Sequence, residues 1–134
     1  MSAGITQTDG RSRVDVADRI SLTVPADARF RSVSTLVVGG VGTRLELPYE
    51  RMDDLQLALL SLLDAVQGDE ATVELVAADD AVELSVGRLR PGSSGDPGIE
   101  RVVSRLVDSR SAEARDGDEW ITVRLLCSAV RTDA

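Results

Sequence analysis

Polar and apolar positions alternate at both ends of this chain and switch to helical spacing in between. Arg19–Val24 (RISLTV) alternates and turns Ile20, Leu22 and Val24 to one side, as in a half-buried strand. Pro25 ends that ladder because it has no N–H to donate. From Ala26 to about Leu45 the spacing predicts a helix, with Phe30, Val33, Val37 and Val41 as its apolar stripe and Leu36 widening it. Gly39, Gly40 and Gly42 interrupt that helix, and each costs about 1 kcal/mol against Ala. Such a cost points to close packing against another element or to an earlier helix end.

Leu47-Pro48-Tyr49 is a break. Glu50–Gln67 then carries the strongest helical pattern, with Met52, Leu55, Leu59, Leu62 and Val66 in steps of three and four. Leu57, Ala58, Leu60 and Leu63 make its middle apolar nearly all round, so burial on more than one side is expected. Gly68 suits its C-terminal stop. Ala71–Ala77 and Val82–Val86 alternate again about a turn at Asp79-Asp80, a β-hairpin signal. Arg90–Pro97 (RPGSSGDP) is rich in turn formers. Gly98–Asp108 reads as a short helix with Ile99, Val102, Val103 and Leu106 inward. Ser111–Arg115 reads as a strand, Asp116-Gly117-Asp118 as a turn, and Glu119–Leu126 as a closing strand. In that strand Trp120, Thr122, Arg124 and Leu126 share one face; Ile121, Val123 and Leu125 share the other. The order β-α-α-β-β-α-β-β predicts an α+β two-layer sandwich, a mixed, mostly antiparallel sheet with helices on one face.

With 134 residues, 43% of them hydrophobic, the chain suits a single domain with a real core. Residues 19–128 are assigned to it, with a polar, disordered tail over 1–18 and a short tail over 129–134. Aromatic residues make up only 2%, so the core is aliphatic. The net charge of -8, with scattered arginines as the only basic residues, argues against direct nucleic-acid binding. His, Lys and Asn are absent altogether. That removes imidazole bases, Schiff-base chemistry and the P-loop lysine. The lone Cys127 can form neither an intrachain disulfide nor a cysteine-rich zinc site and reads as a small apolar strand residue. No apolar run approaches the roughly 20 residues of a membrane helix, and a cytoplasmic protein is expected.

Several segments together resemble the anti-sigma-factor serine kinases, which have the histidine-kinase-like ATPase fold. These are SLTVPADARF, STLVVGGVGTRL, LPYERMDDLQLALLSLLDAV, the hairpin, GIERVVSRLVD and WITVRL, spanning about Ile20 to Leu126. The resemblance implies that fold, binding of Mg-ATP beneath a lid, phosphorylation of an anti-anti-sigma protein on serine, and sequestration of a sigma factor. In the family a Glu on the long helix is the base, and an Asn four residues later ligates magnesium. Aligned on Asp54-Leu55-Gln56-Leu57-Ala58, those positions fall on Ser61 and Ala65. A serine hydroxyl is no general base at neutral pH, and Ala65 offers Mg²⁺ no oxygen. The family's Asp-x-Gly-x-Gly adenine motif falls on Gly87, Leu89 and Pro91, and the lid shrinks to Ser93-Ser94-Gly95-Asp96-Pro97-Gly98. Gly98 alone matches a family glycine near the phosphates.

Three nucleotide-handling elements are thus degenerate in one chain. The expected protein is a pseudo-kinase: a nucleotide-independent regulatory module, anti-sigma-factor-like, that binds a sigma factor or an anti-anti-sigma partner. It would need no cofactor, no metal and no catalytic residue. An active serine/threonine kinase with an unusual base, Asp64 or Asp54, is one alternative. A structural subunit, homodimeric or paired with a kinase-fold paralogue, is another. Arg29, Arg31 and Arg44, flanking the first helix, are candidate partner-binding residues because the planar guanidinium is favoured at interfaces. Gly39-Gly40-Val41-Gly42 completes no phosphate-binding pattern. Asp53 and Asp54 suit the positive end of a helix. Asp64 either faces solvent or pairs with an arginine such as Arg105.

Overall fold

A computed structural model describes residues 18–77 and 80–127. The proposed tails, 1–18 but for Asp18 and 129–134, and the predicted turn residue Asp79 lie outside them. Strand β1 (Asp18–Pro25) leads through a 3₁₀ turn at Ala28–Phe30 into α1 (Arg31–Arg44) and α2 (Tyr49–Leu63). The hairpin β2 (Glu70–Ala77) and β3 (Ala81–Leu89) follows. A second 3₁₀ turn at Ser93–Gly95, α3 (Pro97–Leu106), β4 (Ser109–Arg115) and β5 (Asp118–Leu126) complete the order. The five strands form one sheet in the order β1-β2-β3-β5-β4. Every pairing in it is antiparallel, where a mixed sheet was expected. The reason is that β5 turns back through a hairpin and enters between β3 and β4, so neighbours always run in opposite directions.

The registers put Leu22, Val73, Val86 and Ile121 in one row across the sheet. Leu75, Leu84 and Val123 form the next row. These side chains are buried against Val38 and Val41 of α1, Leu55, Leu59 and Leu62 of α2, and Val103 of α3. The opposite face carries Thr23, Thr72, Glu74, Ser85 and Thr122, with Thr23 bonded to Thr72 and Ser85 to Thr122. One apolar and one polar sheet face, with the helices on the apolar one, make a two-layer α+β sandwich. The closing strand divides as its alternation predicts: Ile121, Val123 and Leu125 point inward.

The helix boundaries differ from the pattern in instructive ways. Asp27 accepts the Arg29 N–H at 2.9 Å and sets up the 3₁₀ turn, so α1 starts at Arg31 and not at Ala26. It runs unbroken through all three glycines. Its buried side is Ser34, Val38, Val41 and Gly42, while Val33 and Val37 lie at the edge and Leu36 is 76% exposed. The stripe is thus rotated from the predicted one toward small residues that let α2 approach. A built Cβ on Gly42 would sit 3.0 Å from Met52 Cε, and one on Gly39 would sit 3.0 Å from Gln56 Nε2. Helix α1 ends in a Schellman arrangement, Leu47 N–H to Gly42 O and Glu46 N–H to Thr43 O, with Glu46 at φ 58°.

Helix α2 stops at Leu63 because the next residues join the sheet. The Ala65 carbonyl accepts from Arg90 N–H, Gln67 N–H donates to Arg88, and Val66 bridges Leu89. Gly68, at φ 90°, therefore turns the chain well after the helix end and does not cap it. In α3 Val103 is fully buried, but Val102, predicted inward, is 46% exposed. At the β4–β5 hairpin Asp116 and Gly117 have φ 52° and 84°, the conformation of a tight two-residue turn.

Candidate functional site

The positions aligned with nucleotide-handling residues do not converge on one pocket. Ser61, in the last full turn of α2, is half-buried and lines a groove of about 370 Å³ between α2 and α3. Ala65 is buried, but it lies past the helix end, so it does not share a helical face with Ser61. Leu89 is buried beside Val66, and Pro91 is exposed. Gly87 lies on the polar side of the sheet. A Cβ added there would fall 2.1 Å from Trp120 Cδ2, so its side-chain direction leads away from the helix layer. The glycine has a packing role that its sequence neighbours do not reveal.

The three candidate arginines are also separate. Arg29 grips Asp27 through Nε and Nη2 at 3.2 and 3.1 Å and lies over the Phe30 ring. Arg31, at the start of α1, pairs with Asp64 at 2.5 Å. Arg44, at the other end, borders a small cavity with Ile20, Leu45 and Leu75. Across a 14-residue helix those ends are roughly 20 Å apart. Asp64 thus takes Arg31, not Arg105, as its partner.

Asp53 and Asp54 stand beyond the first turn of α2, where the helix dipole has little effect. Asp53 is exposed. Asp54 instead pairs at 2.8 Å with Arg51, whose other arm reaches Asp108 at 3.1 Å. Arg51 is only 7% exposed and also approaches the Leu106 carbonyl. This buried junction of α2 with the end of α3 went unread in the sequence. The Arg51/Asp54 spacing of three was its only signal. Cys127 is half-buried, and burial followed by the nearby Asp80 carboxylate pushes its thiol pKa up. That disfavours the nucleophilic thiolate. Among the described residues no group of three His, Cys, Asp or Glu is placed to hold a metal ion.

What the helices do present is an apolar outer surface. Leu36 of α1 and Leu60 of α2 line a wide groove between these two helices. Leu60 also lines the groove between α2 and α3, together with Leu57 and Val102. Leu36, Leu57 and Val102 are 76%, 45% and 46% exposed, so the row crosses the whole helix layer. Arg101 and Arg105 border its α3 end. Helical spacing assigned Leu36 and Val102 to buried stripes, whereas Leu57 and Leu60 only made the middle of the long helix apolar nearly all round. No helix among the described residues is long and apolar enough to cross a membrane. Compared with known proteins, the chain matches no family model and no curated sequence.

Proposed function

We propose that this protein is a nucleotide-independent regulatory binding module, built like an anti-sigma factor and acting on a sigma factor or its anti-anti-sigma partner. The observation that carries the reading is the apolar row Leu36–Leu60–Leu57–Val102 across the outer side of the helix layer, in which Leu36, Leu57 and Val102 are exposed and Leu60 is half-buried. Contiguous exposed apolar side chains on a soluble domain mark interaction surfaces. The mechanism is occlusion, with the row covering a partner's own contact surface.

The same geometry weighs against the kinase reading. The two acids offered as an unusual base are both held by arginines, Asp64 by Arg31 and Asp54 by Arg51. A residue at position 87 projects onto the far side of the sheet, away from Ser61.

Two measurements test the reading. Calorimetric titration with Mg-ATP is expected to give no heat of binding. Affinity capture from the native extract, followed by reconstitution from purified chains, is expected to give a complex with a sigma factor or an anti-anti-sigma protein. Mg-ATP binding with serine phosphorylation of such a partner would replace this reading with that of an active kinase. A complex only with a kinase-fold paralogue would make the protein a structural subunit.

A further inference from the structure

Two arginines on successive turns of α3, Arg101 and Arg105, line the α2–α3 groove. Both are exposed, and neither has an ion-pair or hydrogen-bond partner among the described residues. The acid that lines the same groove and the acid that precedes Arg101 in sequence both have other partners. Asp64, in the same groove, is held by Arg31, and Glu100 is held by Arg110 at 3.2 Å. On a chain of net charge -8, this is a local site of uncompensated positive charge beside apolar Leu57, Leu60, Val102 and Leu106.

Resting on the binding-module reading, we propose that this groove docks an acidic amphipathic helix of the partner protein. Apolar anchors enter between α2 and α3, and carboxylates along the partner's flank meet Arg101 and Arg105. The groove follows α2 from Leu57 to Asp64, about 10 Å or two helical turns, which matches anchors spaced by three and four residues. The net charge of -8 disfavours an acidic segment over the chain as a whole, so the pair Arg101 and Arg105 favours this groove and sets the segment's orientation. A small anion is a poorer fit. The groove is mostly apolar, and the α3 N-terminus is already capped by Asp96, which accepts from Gly98 and Ile99.

The test uses two short labelled helical peptides, with Leu at every third or fourth position and either Glu or Lys on both flanks. Binding to the full chain is followed by fluorescence anisotropy at low and high salt, and mapped by backbone amide NMR shifts. The Glu peptide is expected to bind at least about tenfold more tightly than the Lys peptide, and to weaken with salt. Its shifts are expected over residues 57–64 and 101–106. R101E/R105E is expected to abolish the preference, and L57S to weaken the Glu peptide about tenfold with the fold intact by circular dichroism. Equal binding of the two peptides, no binding of either, or a preference that survives R101E/R105E overturns the proposal. So does self-association of the free chain that these substitutions abolish, which would make a second copy the occupant. If the peptides fail while a sigma or anti-anti-sigma complex still forms without nucleotide, the module reading stands and its contact lies on another face.

Discussion

The indole of Trp120 occupies the space that any side chain at position 87 would need. A Cβ built on Gly87 falls 2.1 Å from Cδ2 and 2.2 Å from Cε2 of that ring. Trp120 is buried on the sheet face that has no helices, because Arg115 covers it at 4.1 Å from the ring centroid. Arg115 is held there by Glu74 at 2.9 Å and by Glu113. Gly87→Ala is therefore expected to destabilise the fold by about 2–3 kcal/mol, as overpacking does. Urea unfolding measures the loss, and a red shift of tryptophan emission in the folded state reports the displaced ring. Gly87→Asp supplies the residue type of the resembled kinases, yet it sets the carboxylate against the indole. No gain of Mg-ATP binding is expected from it, and calorimetry checks this.

The glycines of α1 divide by what faces them. Nothing lies within 4 Å of a Cβ added to Gly40, whereas one on Gly42 meets Met52 and Leu47. Gly40→Ala is expected to raise stability by up to about 1 kcal/mol through helix propensity alone. Gly42→Ala gains the same propensity but pushes α2 away, so it is expected to be neutral or destabilising. Equal stabilisation by both substitutions in thermal unfolding would refute the helix-packing role of Gly42.

Alternation and spacing revealed most of the fold. Strand β5 divides its faces as read, since Ile121, Val123 and Leu125 form an unbroken period of two and one sheet face is apolar. Helix faces were less legible. In α1 the apolar stripe competes with Ser34 and Gly42, and close approach to α2 buries the small residues while Leu36 turns out. The end of α2 was invisible, because the hydrogen bond from Arg90 N–H to Ala65 O depends on strand pairing distant in sequence. The candidate surface was hidden for a related reason. Val102 follows helical periodicity like a core residue and Leu57 lies beside the stripe in a helix apolar nearly all round, and only the sandwich decides that no layer covers them. The arginines chosen around α1 are scattered, whereas Arg101 and Arg105, unpaired among the described residues, lie together on α3, and nothing in the sequence sets them apart.

Arg51 is the next test. It is 7% exposed and is clasped by Asp54 and Asp108, and Asp108 also accepts the Leu126 N–H at 2.8 Å. Arg51 is the buried member, while both carboxylates are partly exposed, so its loss removes packing and charge-assisted hydrogen bonds and does not strand a charge in the core. Arg51→Ala is expected to cost about 2 kcal/mol. The exposed pair of Arg29 with Asp27 is of a different kind, and Arg29→Ala is expected to change stability by less than about 1 kcal/mol. Similar chemical-denaturation midpoints for the two variants would contradict the assigned role of Arg51.

Glu119 gives the fold a defined response to acid. Its carboxylate accepts from the Gly92 N–H at 2.8 Å and from the Ser94 N–H at 2.6 Å, tying the start of β5 to the loop before α3. Hydrogen bonds from Ser94, then from Gly92, hold its pKa below the ordinary 4.5. The unfolded chain binds this proton more readily than the folded one, so protonation favours unfolding. The stabilisation is complete above the unfolded value and is lost as pH falls through the folded value. Asp27, lowered by its bonds to Arg29, acts in the same direction. It is present in both the wild type and Glu119→Gln, so it cancels when the two are compared. The wild type is therefore expected to lead Glu119→Gln by a constant margin in urea midpoint near neutral pH, and that margin is expected to shrink below about pH 4.5. Side-chain NMR titration of Glu119 is expected to give a midpoint under 4.5 in the folded protein. A margin that stays level or widens on acidification would show that the 92–95 loop is held by something other than the ionised carboxylate.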